Sequence, residues 1–98
     1  MNRDDAIELH RYLNGKLSVD PKVDVMDKTD LSLVYTPGVG FVSEEIARDK
    51  EKVYSYTWKS NTIAVVSDGT AVLGLGNVGP ESALPVMEGK ALLIKKFA

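Results

Sequence analysis

The sequence contains no cysteine, which excludes both a disulfide framework and a thiolate zinc site. It also lacks an excess of charge of one sign, because the formal net charge is −2 and acids and bases are interspersed. Neither a basic surface for nucleic acid nor a polybasic patch for a membrane is therefore predicted. No apolar run approaches the roughly 20 residues of a transmembrane helix. The acidic start of the chain does not resemble a signal or transit peptide. We expect a soluble, cytoplasmic protein without nucleic-acid or membrane partners.

The length of 98 residues leaves room for one small domain. A domain of this size buries only about 60–65% of the surface of its unfolded chain, so a second copy would help to stabilise it. The sequence stops inside an amphipathic segment that carries no Gly or Asn cap. This ending favours the front piece of a longer protein.

Apolar periodicity predicts at least three helices. One of the acids at Asp4–Asp5 is expected to cap the first helix. Thr36–Pro37 is expected to supply the N-cap and first position of the next helix, which should end near Asp49. Pro80 suits the first turn of the last helix, and Pro85 is expected to break or restart it.

Two apolar segments predict a β-hairpin between these helices. Ile63–Val66 and Ala71–Leu73 flank Asp68–Gly69, a pair that tolerates the positive φ of a tight turn. The alternating aromatic residues of Val53–Trp58 predict an extended segment. The expected fold class is therefore α+β, mostly helical, with one β-hairpin and three or more helices.

A lysine falls in the middle of the apolar face of the last helix. On a helical projection Lys90 is flanked by a set of apolar residues, namely Val86, Leu93 and Phe97 on one side and Ala83, Met87, Ala91 and Ile94 on the other. Loss of solvation would disfavour its ammonium form, and a neutral lysine can act as a general base. The alternative is a lysine whose stem covers the edge of a core while its charge stays in water.

A glycine-rich loop precedes this helix. Gly74, Gly76 and Gly79 match Gly-x-Gly-x-x-Gly, but a predicted hairpin arm precedes them and Pro80 follows at once. No second strand with an acidic end follows, so a dinucleotide site is not predicted here. Two roles remain open. The loop can let the helix pack closely, or the N–H groups of Gly74, Gly76 and Asn77 can bind a small anion such as a substrate carboxylate.

Three ordered motifs carry a family resemblance. They are Tyr35–Val39 (YTPGV), Val66–Pro80 (VSDGTAVLGLGNVGP) and Leu84–Ala91 (LPVMEGKA). Together they resemble the N-terminal domain of malic enzyme, most closely the short bacterial and archaeal type that is also called malate oxidoreductase. The resemblance assigns residues 1–98 to that domain.

The resemblance implies oxidative decarboxylation of L-malate to pyruvate and CO2 with NAD or NADP and Mn or Mg. By motif match, Lys90 takes the proton of the C2 hydroxyl as hydride leaves for the nicotinamide. The metal then stabilises the enolate formed on loss of CO2, and Tyr35 protonates C3 of enolpyruvate. The run Gly40–Phe41 departs from the smaller residues usual in the family at this place.

The resemblance also implies what this chain lacks. The metal ligands and the nucleotide-binding domain of the family lie mainly outside residues 1–98, and neither Asp68 nor Glu88 matches a ligand position. We therefore expect no metal site in this chain, no activity of these residues alone, and a homodimer. The alternative function is a stand-alone dimerisation or small-anion-binding module that has lost the chemistry.

Overall fold

The computed structural model describes all 98 residues, which form helices and irregular segments without a β-strand. Contacts divide the chain into two compact units. The terminal unit contains Met1–Val19 and Ala64–Ala98, and the central unit contains Asp20–Ile63. No helix is both long and apolar enough to cross a membrane.

The terminal unit begins with helix α1, Arg3–Leu13. Its N-cap is Asn2, whose side-chain oxygen accepts a hydrogen bond from the Asp5 N–H at 2.9 Å, while the Asp5 carboxylate accepts one from the Asn2 N–H. This reciprocal pair is a capping box. The expected cap at Asp4 or Asp5 was therefore wrong by a few positions, because Asp5 is the second member of the box. The helix ends at Asn14, which adopts a left-handed conformation with φ of 53°.

The same unit ends with helix α5, Pro80–Phe97, and Pro80 occupies its first turn as predicted. The expected break at Pro85 was wrong, because the helix runs through this residue. Proline lacks an N–H, so the Glu81 carbonyl loses one helical partner at this point. The helix nevertheless continues to Phe97, with one hydrogen bond missing from its ladder at this point.

The central unit carries the remaining helices. Helix α2 is Lys28–Val34 and helix α3 is Gly38–Arg48, with Asp49 as its C-cap. The predicted end near Asp49 is confirmed, whereas the N-cap is Pro37 rather than Thr36. Three short helical segments complete the unit, namely Lys50–Lys52 and Trp58–Asn61 in 3-10 form and α4, Val53–Tyr56. The extended segment expected over Val53–Trp58 was therefore also wrong.

The predicted β-hairpin does not form, and with it the α+β class was wrong. Its second arm curls on itself, because the Val72 N–H donates to the Gly76 carbonyl and the Leu75 N–H donates to the Val72 carbonyl, both at 2.9 Å. Leu73 within this curl has a positive φ of 51°. These local bonds occupy groups that a strand ladder would need, so Asp68–Gly69 is a turn without paired arms.

Little of the chain is buried. Val72 and Ala83 are the only buried apolar residues, with 4% and 1% of their surface exposed, and both lie in the terminal unit. Large apolar side chains remain exposed in both units, among them Leu73, Phe41 and Trp58. The buried apolar core within these 98 residues is therefore very small.

Candidate active site

The terminal unit contains a cavity of about 210 Å³. Its lining is mostly apolar and consists of Val65, Val66, Ser67, Ala71, Val72, Leu73, Val86, Met87 and Lys90. Lys90 and Ser67 carry the only polar side chains of this set. Pockets for drug-sized ligands measure about 300–1,000 Å³, so this cavity fits only a small molecule. One cation and one hydroxyl in an apolar wall can bind a small hydroxy acid.

A turn at Asp68–Gly69 supports one wall of the cavity. The Asp68 carboxylate accepts hydrogen bonds from the Thr70 hydroxyl at 2.8 Å and from the Thr70 N–H at 3.1 Å. These bonds hold the pKa of Asp68 below its usual value. The Ser67 hydroxyl oxygen accepts from the Gly69 N–H at 3.1 Å, which leaves its O–H free to donate. Ser67 was not among the predicted site residues, and its only sequence signal is its place before the Asp-Gly pair.

The turn is docked against the beginning of α5. The Gly69 carbonyl accepts hydrogen bonds from the N–H groups of Val78 and Gly79 at 3.0 and 3.2 Å. Gly69 is buried, has a φ of +76°, and a Cβ there would overlap the Gly79 carbonyl and lie 2.7 Å from the Pro80 nitrogen. Glycine is therefore required at Gly69 for both conformation and space. This contact joins the two walls of the cavity.

Lys90 lies on α5 with its side chain at the cavity, and its residue is exposed. Val86, Met87 and Ala91 beside it are half-buried, as the apolar stripe predicts, whereas Phe97 is 77% exposed. The loss of solvation expected for Lys90 is not present within these 98 residues.

Tyr35 belongs to the central unit, at the junction of α2 and α3. Its N–H donates to the Leu31 carbonyl at 2.9 Å, and its carbonyl accepts from the Val39 N–H at 2.6 Å. The side chain is 65% exposed and makes no hydrogen bond within the chain. The backbone is thus held between two helices while the phenol is free to meet a reactant.

The predicted anion-binding residues lie in an exposed loop. Gly74, Gly76 and Asn77 are all exposed, and Gly76 has a φ of 75°. Their N–H groups make no hydrogen bond within the chain, whereas the Gly76 carbonyl accepts from Val72. The loop also leads to the close contact of Gly69 with Gly79, which supports the packing role. Binding of an anion stays a prediction.

The acidic residues do not assemble a metal site. No three side chains of His, Asp or Glu lie close enough together to hold an ion. The Glu88 carboxylate accepts from the Lys16 N–H at 2.6 Å, and the Asp68 carboxylate is engaged in its own turn. The residues of this chain therefore do not by themselves fit a Mn or Mg ion. Nor do they form the βαβ unit that holds a dinucleotide, because no strand is present.

Comparison with protein families decides the relationship. The family described as malic enzyme, N-terminal domain, matches residues 14–98. The chain belongs to the malic enzyme N-terminal domain family. The family resemblance drawn from the three motifs is thereby confirmed.

Characterised relatives bear this out along nearly the whole chain. The bifunctional malic/malolactic enzyme of Bacillus subtilis is 58% identical over 96 residues, which are 98% of this chain and 23% of that protein. The NADP-dependent malic enzyme of Halomonas elongata is 50% identical over 97 residues, 98% of this chain and 23% of that protein. The chain thus spans about a quarter of the length of these relatives.

Solved structures share the fold as well. The crystal structure of the NAD-dependent malic enzyme from Thermotoga maritima superposes with a TM-score of 0.90 at 60% identity, covering 96% of this chain and 25% of that one. The malic enzyme of Pyrococcus horikoshii gives a TM-score of 0.92 at 56% identity, with 99% and 23% covered. The helical arrangement is therefore the one that malic enzymes adopt in this region.

Proposed function

We propose that this chain is the part of a malic enzyme that supplies two catalytic side chains, Lys90 and Tyr35. The enzyme would convert L-malate to pyruvate and CO2 with NAD or NADP and Mn or Mg. Both the nucleotide and the metal ion would be bound mainly by residues outside 1–98. The observation that carries the proposal is the cavity beside Lys90, which places one lysine against an apolar wall in a family of malic enzymes.

Lys90 is proposed as the general base. Its Nζ, once deprotonated, would take the proton of the C2 hydroxyl of malate while hydride leaves the same carbon. The lysine is exposed in this chain. Closure of the site by the rest of the enzyme would remove water around it and favour the neutral amine that a base requires.

Tyr35 is proposed as the acid that returns a proton to C3 of enolpyruvate. Its exposed phenol makes no hydrogen bond within the chain, so the hydroxyl is free to face a reactant. The fixed backbone between α2 and α3 would limit the positions that the ring can reach. Gly74, Gly76 and Asn77 are proposed to bind a substrate carboxylate through their free N–H groups.

A hybrid enzyme tests the proposal. In it, this chain replaces the matching segment of the Bacillus subtilis enzyme, and malate-dependent formation of reduced nicotinamide is measured. The unaltered hybrid is expected to be active, and Lys90→Ala to be inactive, with partial rescue by a small added amine. Lys95→Ala is the matched control, because Lys95 is an exposed lysine of the same helix. An active Lys90→Ala hybrid would remove Lys90 as the base.

The acid is tested by a different reaction of the same hybrid. Tyr35→Phe is expected to slow exchange of the C3 protons of pyruvate with deuterated water, because the phenol proton is missing. Tyr12→Phe, at a tyrosine that is 86% exposed on α1, is the control and should exchange normally. Unchanged exchange with Tyr35→Phe would exclude this tyrosine from the mechanism.

We also propose that the protein is a homodimer. Two buried apolar residues are a very small core for 98 residues, and large exposed apolar side chains remain available for a second copy. Sedimentation equilibrium of the chain should give twice the mass of 10.7 kDa. A monomer mass at all concentrations would contradict the proposal for this chain.

A further inference from the structure

Two hydrogen bonds join the beginning of the chain to the helix that carries Lys90. The Lys16 N–H donates to the Glu88 carboxylate at 2.6 Å, and Lys16 Nζ donates to the Pro85 carbonyl at 2.9 Å. They link residues 72 and 69 positions apart. Every other hydrogen bond that involves a side chain joins residues no more than seven positions apart. These contacts, here called the Lys16 tie, therefore fasten α5 to a distant part of the terminal unit.

The residues before Lys16 are shaped to present it. Asn14 caps α1 in the left-handed region, and Gly15 follows with a φ of 104°. A Cβ on Gly15 would lie 3.6 Å from the nearer Glu88 carboxylate oxygen, so the chain passes directly over this side chain. Lys16 Nζ is also 2.7 Å from His10 Nε2. His10 Nδ1 lies 2.7 Å from the Ala6 carbonyl and must donate to it, which leaves Nε2 to accept from the lysine.

The position of the tie on α5 decides what it can do. Pro85 cannot donate to the carbonyl of Glu81, so the helix ladder has a gap immediately before the tied residues. Both anchor points, the Pro85 carbonyl and the Glu88 side chain, lie on the far side of this gap, and Lys90 follows two residues later. The tie therefore constrains the direction of the part of α5 after Pro85, residues 86–97, which bears Lys90 and is here called the half-helix.

We infer that Glu88 and Lys16 are positioning residues for Lys90, which aim its amine into the cavity by holding the half-helix after Pro85. The inference rests on the proposed role of Lys90 in malate oxidation. A displacement of about 1 Å at a reacting group can cost 10²-fold in rate. None of the tie residues lines the cavity itself, so loss of the tie should lower kcat more than it raises KM for malate.

The hybrid enzyme defined above tests this inference through a graded set of variants. Glu88→Ala removes the acceptor and is expected to lower kcat by about 10- to 100-fold. Glu88→Gln keeps an acceptor oxygen for the Lys16 N–H and should restore most of the rate. Glu81→Ala is the matched control, an exposed glutamate on the same helix whose side chain makes no hydrogen bond. If Glu88→Ala does not fold, Lys16→Met takes its place in the test. This variant removes only the hydrogen bonds of Lys16 Nζ and keeps the bond from the Lys16 N–H, so it should lower kcat by less than the roughly 10- to 100-fold expected for Glu88→Ala.

Hydrogen exchange gives a readout that is independent of activity. In Glu88→Ala, backbone amides of residues 86–97 should exchange faster than in the unaltered hybrid, while those of α2 and α3 should not change. A normal kcat with Glu88→Ala, a loss in KM alone, or a Gln variant as poor as the Ala variant would overturn the inference. An inactive unaltered hybrid would instead count against the proposed function, and the exchange comparison would still decide whether the tie holds the half-helix.

Discussion

The contact of Gly69 with Gly79 docks the Asp68–Gly69 turn against the start of α5, and Gly69→Ala should break it. Alanine at a φ of +76° costs about 1–2 kcal/mol of folding free energy, as for any left-handed residue. Its methyl group would also overlap the Gly79 carbonyl and lie 2.7 Å from the Pro80 nitrogen. Both neighbours are backbone and cannot rotate away, so relief by movement adds about 1–3 kcal/mol. The total loss is about 2–5 kcal/mol.

Gly76→Ala separates the two causes. Gly76 has nearly the same φ of +75°, but a Cβ there meets nothing within 4 Å, so this variant should lose only the conformational part of about 1–2 kcal/mol. Urea unfolding of the chain, followed by its helical circular dichroism, gives both free energies. If Gly69→Ala is no less stable than Gly76→Ala, the docking of the turn on α5 does not exist as described.

Two further predictions concern the central unit. A Cβ on Gly38 would lie 2.5 Å from the Ser32 carbonyl oxygen and 2.6 Å from that of Leu33, so Gly38→Ala should destabilise the packing of α3 on α2. Gly40→Ala is the control, because a Cβ there would meet open space and should cause no such loss. Equal melting temperatures of the two variants would refute this prediction. Lys52 lies 2.6 Å from Glu45, lowers the pKa of Glu45 and has its own pKa raised, so Lys52→Met should reduce stability slightly at neutral pH. The ion pair stabilises the fold while both groups are charged, and this stabilisation is lost as pH falls through the lowered pKa of Glu45. The difference in melting temperature between Lys52→Met and the parent should therefore vanish in acid. A difference that persists in acid would show that the ion pair is not its cause.

Local sequence signals located α1, α3 and α5, but not α2 or α4. The end of α3 near Asp49 and the start of α5 at Pro80 follow from residues whose effect is confined to one turn. The apolar stripe of α5 likewise identified the half-buried side chains Val86 and Met87. These features depend on neighbours three or four positions away, which a sequence displays directly.

The hairpin shows where such signals fail. Apolar residues on both sides of Asp68–Gly69 fit strand arms, but a strand also needs a partner with free backbone groups. Here Val72 and Gly76 bond to each other instead. The carbonyl of Gly69 is taken by Val78 and Gly79. The turn was therefore predictable from its residue types, whereas the absence of pairing depends on contacts that follow in the next ten residues.

The candidate site likewise contains residues that the sequence indicates and residues that it does not. Lys90 and Tyr35 could be proposed from motifs, and Lys90 also from its unusual place in an apolar stripe. The Lys16 tie could not be predicted, because it joins positions 72 residues apart and its glutamate resembles any surface acid of a helix. The exposure of Lys90 agrees with the alternative of a lysine at the edge of a core, and periodicity could not choose between the two because it shows which face is apolar but not what covers it.

We propose Lys90 of this chain as the base in malate oxidation. The most direct measurement compares malate-dependent nicotinamide reduction by three hybrid enzymes, namely the unaltered hybrid, Lys90→Ala and Lys95→Ala. We expect activity in the first and third hybrids, and none in the second until a small amine is added. Activity in Lys90→Ala equal to that of Lys95→Ala would contradict it.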